Sequence, residues 1–221
     1  MQETAHHQCL SAGLDLNDLH DRHGLSFILS RLQLSFYRTL YSFEDIDVHT
    51  WCSPVKGWKM LRYFRVVRGD EMVAEGASEW ALVDVIHRTL VRPDELDADI
   101  LARFPIDEPI PDDRLPRRVR IPSALDMEIA GMRTVRYSDV DFNRHMNNTR
   151  YPDMICDFLP VLPEGKRVSA MSLSYVKEAA LGDTFTVFRA PMPNTSDTFL
   201  VRTKREDGQV CLDASVTLET I

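Results

Sequence analysis

The distribution of prolines restricts this chain most. Six of the twelve, Pro93, Pro105, Pro109, Pro111, Pro116 and Pro122, fall between residues 93 and 122. Proline lacks a backbone N–H and clashes with the preceding helical turn, so this stretch is neither one continuous helix nor a central strand. Only Pro93 to Phe104 has a helical pattern, with Pro93 in the first turn and acids after it, near the positive end of the helix dipole. The rest is expected to be an extended linker on the surface. The chain then reads as 1–92, a proline-rich linker at 93–122, and 123–221.

Both flanks read as strands. From Val210 to Leu218 the even positions Val210, Leu212, Ala214, Val216 and Leu218 are apolar, with Cys211, Asp213, Ser215 and Thr217 between them. Such period-two alternation marks a half-buried antiparallel strand. Leu32, Leu34 and Phe36 alternate in the same way, as do Phe185 and Val187. Glu206-Asp-Gly208 and Arg68-Gly-Asp70 are hairpin signals.

The two hairpins also match each other. Shifting the first half by 137 places Arg65 on Arg202, Arg68 on Arg205, Asp70 on Asp207, Val73 on Val210, Ala77 on Ala214 and Ser78 on Ser215. Six gapless identities in the fourteen positions 65–78, with turn and strand phases in step, indicate a duplicated unit. Each half has one helix candidate, Gln2 to about Ala12 and Thr149 or Arg150 to about Leu159. An α+β arrangement follows, in which a helix buries its apolar side against a curled antiparallel sheet. The second half has a strand, Met132 to Tyr137, ahead of its helix. The first half has no room for one, so its first strand is expected to be missing or to lie upstream of Met1.

Composition removes several functions. The formal net charge is −8, with 34 acidic and 26 basic residues, the wrong sign for a nucleic-acid footprint. No apolar run approaches the roughly 18 residues of a membrane span. The N-terminus lacks a basic-then-apolar signal pattern, and Cys9, Cys52, Cys156 and Cys211 show no CxxC spacing. Free buried thiols in a reducing cytoplasm are the simplest reading. His6, His7 and Cys9 are close in sequence but lack a second ligand pair, so no metal is assigned, and no cofactor. Trp51, Trp58, Tyr63, Phe64 and Trp80 are expected in the core or lining an apolar tunnel.

The densest polar cluster runs from Tyr137 to Asn148, between a strand and a helix. A strand-to-helix junction offers backbone N–H groups to a negative oxygen. Asp141, Asn143 and His145 are spaced by two, so an extended segment would aim all three one way. A carboxylate, an amide and an imidazole can together bind, orient and deprotonate a water, and acyl hydrolysis needs that set plus an oxyanion donor. Asp and Asn before a helix also serve as caps and turn formers, the role expected of Asn147 and Asn148 and open for Asp139.

The string Asp139-Val-Asp141-Phe-Asn143-Arg-His145-Met-Asn147-Asn148-Thr-Arg-Tyr151 resembles the DxDxNxHxNNxxY signature of the acyl-ACP thioesterases of plants and bacteria, in the hotdog-fold thioesterase superfamily. Leu173-Ser-Tyr-Val-Lys-Glu178-Ala179 resembles that family's Leu-x-Tyr-x-x-Glu-Cys segment. Trp80 to Asp84, with Arg88 and Arg92-Pro93 following, resembles the end of its first hotdog.

The resemblance implies a tandem (double) hotdog, each unit a long helix wrapped by a curved antiparallel sheet. It implies hydrolysis of fatty acyl-ACP to a free fatty acid in fatty acid biosynthesis. Asp141 matches the family's catalytic aspartate, acting directly or through water. Asn143 and His145 match residues that position the attack, and Glu178 matches a nearby glutamate. The adjacent family cysteine, once proposed as nucleophile, is Ala179 here. The offset of 137 sets Tyr41 opposite Glu178, so one site is expected, in the C-terminal unit. The implied partner is an acyl carrier protein bearing a fatty acyl thioester, with a homodimer left open. The carrier is strongly acidic, so docking calls for local basic patches. The candidates are Arg114, Arg117, Arg118 and Arg120, then Lys56, Lys59, Arg62, Arg65 and Arg68. The rival functions are an acyl-CoA thioesterase of the same fold and a non-catalytic acyl-binding module.

Overall fold

Gly69 and Asp70 turn β3 (Met60–Arg68) into β4 (Glu71–Asp84), with Gly69 at φ +59°, where a side chain would be strained. The equivalent turn at 206–208 joins β9 (Thr198–Arg205) to β10 (Val210–Thr220), with Gly208 at φ +80°. The two hairpins thus coincide at the offset of 137. Their registers differ by one residue: Arg62 faces Ser78, whereas Phe199 faces Val216. The computed structural model describes residues 1–55, 57–96, 98–104, 106, 108–141, 143–160 and 165–221. They form two units, Met1–Pro116 and Arg117–Ile221. The architecture is α+β, with long antiparallel strands and few helices.

In the first unit α1 (Gln2–Ser11) and α2 (Leu16–His23) precede β1 (Leu25–Phe36) and β2 (Asp47–Cys52). The strand order is β2-β3-β4-β1, and β5 (Thr89–Val91) pairs with the end of β4. The helix α2 was not read from sequence. Its signals are local: the Asp15 side chain accepts the Asn17 N–H at 2.8 Å, and Gly24 closes the helix at φ +63°. Both helices lie on one sheet face, where Gln8 Nε2 donates to the Thr50 carbonyl at 2.5 Å and Leu19 packs on Leu82. Among the described residues no strand precedes α1, and β2 is an edge strand.

The proline-rich stretch is not a free surface linker. It starts with a 3-10 turn at Pro93–Glu95 and a short α3 (Ala98–Leu101). Its Leu96, Phe104, Ile110 and Val119 are buried. Ile110 joins Trp51, Tyr63 and Ala77 on the sheet face opposite the helices. Proline keeps such a strap extended, so apolar residues between prolines can lie along a sheet without strand pairing. Pro105, Asp97 and Asp107 lie outside the described residues.

The second unit orders its strands β7-β10-β9-β8-β6, from β6 (Glu128–Thr134), β7 (Lys166–Tyr175), β8 (Thr184–Pro191), β9 and β10. Its helix, α4 (Arg150–Asp157), has eight residues, not the long helix expected. The apolar positions Tyr151, Met154, Ile155 and Phe158 span only two turns, and Pro160 then disfavours helix for the residue before it. Tyr151 packs edge-on against Tyr175 of β7, ring centroids 5.5 Å apart, and lies 6.1 Å from the Phe185 ring of β8. Phe158 lies over Gly131 of β6, where an added Cβ would come within 2.6 Å of the ring. Glycine there lets helix and edge strand touch.

Three expectations need amending. Cys211 and Asp213 of β10 are buried on the face read as polar, with Asp213 held by Arg202 at 2.7 Å. Trp58 is half exposed, with the Arg92 guanidinium 5.9 Å from its ring centroid. Cys156 is exposed, while Cys9, Cys52 and Cys211 are buried and free.

Candidate active site

The strand β6 brings Arg133 to the start of the polar segment, and α4 follows it. Between them a 3-10 turn, Tyr137–Asp139, reverses the chain. Asp139 is buried, and its two carboxylate oxygens accept from Arg133 Nη2 and the Arg136 N–H, each at 2.8 Å. Burial alone would push its carboxyl up, yet these donors hold it below the usual carboxylate range. The Asp139 carbonyl also accepts the Asn147 N–H at 2.8 Å. Asp139 is therefore the internal brace of the loop. Its partner Arg133, six residues upstream on a strand, was the one signal in the sequence.

Residues 141–145 do not form the extended run expected from their spacing. Val140 bridges Met146, the Asp141 N–H donates to the His145 carbonyl at 3.1 Å, and the Arg144 N–H donates to the Asp141 carbonyl at 2.9 Å. Arg144 sits at φ +65°, which closes the loop. Within it the Asp141 Oδ1 accepts the Asn143 N–H at 2.9 Å. Local side-chain-to-backbone bonds of this kind compete well with an extended strand. Asp141 is half-buried, His145 is half-buried, and Asn143 is exposed at the tip. Phe142 lies outside the described residues.

Glu178 arrives from the segment after β7. His145 bridges Ala180, and the Met146 N–H donates to the Ala179 carbonyl at 2.8 Å. This pairing sets the His145 Nδ1 3.4 Å from Glu178 Oε2, an ion-pair distance when the imidazole is protonated. Of the four residues singled out in the sequence, His145 and Glu178 thus come into contact across two paired segments of the second unit, and Asp141 and Asn143 share the loop of His145. Asn147 forms a turn just ahead of α4, whose N-cap Thr149 makes no side-chain cap bond: the Asn147 side-chain oxygen accepts the Thr149 N–H at 2.9 Å, and its carbonyl accepts the Arg150 N–H at 2.9 Å. Pro152 has no N–H, so few first-turn donors of α4 are free for an oxyanion. The Asn148 carbonyl accepts from Tyr175 Oη at 3.0 Å, tying the helix start to β7. Among the described residues no three metal-binding side chains cluster.

The described basic residues after Lys56 are largely committed. Arg62 is buried, Lys59 pairs with Glu79 at 2.9 Å, Arg65 with Glu108 at 3.1 Å, and Arg68 with Glu44 at 2.7 Å. Arg114 is also engaged, 2.8 Å from the buried Glu75. Lys56 lies outside the described residues.

Residues 1–103 match the acyl-ACP thioesterase N-terminal domain, and residues 124–218 match the acyl-ACP thioesterase C-terminal domain. The chain belongs to the acyl-ACP thioesterase family. As a member of that family it is 26% identical over 187 residues to the chloroplastic palmitoyl-acyl carrier protein thioesterase of Gossypium hirsutum, covering 80% of this chain and 45% of the relative. It is 28% identical over 188 residues to a chloroplastic acyl-[acyl-carrier-protein] hydrolase of Cuphea viscosissima, with the same coverage of 80% and 45%. The chain thus spans about half the length of these plant relatives. An acyl-ACP thioesterase from Bacteroides thetaiotaomicron shares 26% identity and a TM-score of 0.83, covering 96% of this chain and 83% of that one. The 12:0-ACP thioesterase from Umbellularia californica, at 19% identity, shares the fold, with a TM-score of 0.85 over 100% of this chain and 87% of that one.

Proposed function

We propose that this member of the acyl-ACP thioesterase family hydrolyses fatty acyl-ACP to a free fatty acid and the carrier. The observation that carries the reading is the pairing of the 141–145 loop with the 178–180 segment, which sets His145 Nδ1 3.4 Å from Glu178 Oε2 with Asp141 and Asn143 on the same loop as His145. Asp141 takes a proton from a water as that water attacks the thioester carbonyl. The Asn143 N–H, donated to Asp141 Oδ1, fixes the carboxylate and leaves its other oxygen for the water. Glu178 orients His145, which in its protonated form gives a proton to the leaving thiolate. In the first turn of α4 only the Tyr151 N–H is left for the oxyanion, because those of Thr149 and Arg150 are bonded to Asn147 and Pro152 has none. The acyl chain lies along the apolar interior of the fold, which we read as a tandem hotdog. The duplicated hairpins, the helices on one face of each sheet and the Umbellularia californica likeness support that reading. The three buried free cysteines suit a reducing cytoplasm.

The test is Asp141→Ala with the fold intact by circular dichroism. Its kcat on acyl-ACP should fall by about 10²–10⁴-fold. Activity within a few-fold of the parent would remove Asp141 from the role. Matched acyl-ACP and acyl-CoA substrates distinguish the carrier.

A further inference from the structure

A thioester borne on a protein must be delivered with that protein's surface held near the site. Most positive charge on this chain is committed to its own carboxylates, including Arg114, Lys59, Arg65 and Arg68. The segment 117–120 is different. Arg117, Arg118 and Arg120 are exposed and, among the described residues, make no ion pair. No acidic residue occurs between Arg114 and Asp126. The residue between these arginines, Val119, is buried, and its N–H donates to Ser174 Oγ at 2.9 Å. Ser174 is itself only 4% exposed, on β7 one residue before the strand ends. The strip is therefore fastened to the sheet while its cations face water. From Ser174 the chain runs through exposed Lys177, which also makes no ion pair among the described residues, to Glu178. Four extended residues reach at most about 13 Å, so Ser174, to which the strip is pinned, lies within that distance of Glu178.

We propose that Arg117, Arg118, Arg120 and Lys177 form the docking surface for the acidic face of the acyl carrier protein, and that Ser174 is the residue that positions it. The proposal rests on the acyl-ACP reading above. A pinned strip loses little freedom on binding, and a local positive field on an acidic protein steers an acidic partner to one place. Arg114, adjacent in sequence, is outside the surface because it is held by Glu75.

The experiment uses the full chain, the variant R117Q/R118Q/R120Q, the charge-keeping variant R117K/R118K/R120K, and Ser174→Ala. The readout is kcat/KM on acyl-ACP relative to acyl-pantetheine, which is uncharged, over a salt series. The Gln variant should lower that ratio about tenfold at low salt, mainly through KM, and the loss should shrink as salt screens the charges. The Lys variant should restore it, and Ser174→Ala should lower it in the same direction. A ratio within twofold of the parent overturns the proposal. So does an equal loss on acyl-CoA, because the arginines would then be reading phosphate and not a protein face. If the parent hydrolyses neither thioester, the proposed function fails by itself. Acyl-ACP binding by fluorescence anisotropy then decides the docking surface: about tenfold weaker binding to the Gln variant upholds it, and equal binding overturns it.

Discussion

Asp139 shows how one buried carboxylate braces the loop that carries the proposed site residues. It receives Arg133 and the Arg136 N–H, and its carbonyl anchors Asn147. Asp139→Asn removes the charge and leaves Arg133 without its acid, at a cost of roughly 1–3 kcal/mol in urea unfolding. The pH dependence has a definite sign. Because the folded carboxyl titrates below the unfolded value of about 3.9, its stabilisation is complete above that pH and is lost as pH falls through the folded pKa. The stability gap between parent and variant should be flat above about pH 5 and close on acidification. A gap unchanged down to the acid limit would contradict the assigned ion pair. The cysteines give a second residue-scale prediction. Burial pushes the Cys52 and Cys211 thiols up to about 11, which leaves them un-ionised at neutral pH. Partial burial, with Asp153 and Asp157 beside it, raises the Cys156 thiol too, but Cys156 alone among the four is exposed, so iodoacetamide at alkaline pH should label it ahead of the others and leave hydrolysis intact. Loss of activity in step with labelling of a buried cysteine would reopen thiolate chemistry.

At the scale of elements, the strap over the first unit is held by a buried carboxylate. Glu75 of β4 accepts from the Tyr37 and Tyr63 hydroxyls, and Arg114 of the strap completes the set. Glu75→Gln removes the charge that two tyrosine hydroxyls and Arg114 share and leaves Arg114 only the exposed Asp113 at 3.5 Å, so it should cost about 1–3 kcal/mol, read as a shift in the denaturant midpoint. An unshifted midpoint would show that the strap is held by Ile110 and its apolar neighbours alone. Burial first, and then Glu75, push the Tyr37 hydroxyl up to about 12. Tyrosine in the unfolded chain ionises near 10, so stability is complete below about pH 10 and falls as pH rises towards 12. The strands and hairpins themselves were legible in the sequence, because period-two alternation and Gly turns are local signals. The shape of the 141–145 loop was not: spacing by two reads as extended, but the Asn143 and Arg144 N–H bonds to Asp141 turn the backbone back on itself.

For the whole molecule, the two units share a hairpin but not the site. In the second unit the loop after β6 carries Asp141, Asn143 and His145, the residues proposed to act, whereas the offset of 137 sets Tyr41 of the first unit opposite Glu178. Titration with a non-hydrolysable acyl-ACP analogue should therefore give one acyl chain per protein chain. A value of two would refute the single-site reading.

The sequence by itself determined the hairpin match at 137 residues, the strand phases, the strand-to-helix position of the polar segment and the spacing of Asp141, Asn143 and His145 within it. These rest on periodicity and on spacing within one segment, which need no knowledge of distant contacts. Only the tertiary structure decided that Glu178 meets His145, that Asp139 is a buried brace and that Arg114 is turned to Glu75 while Arg117, Arg118 and Arg120 face water. Each of these depends on residues 6 to 39 positions apart being brought within a few ångströms. Burial and the pairing of charges then give identical side chains different chemistry.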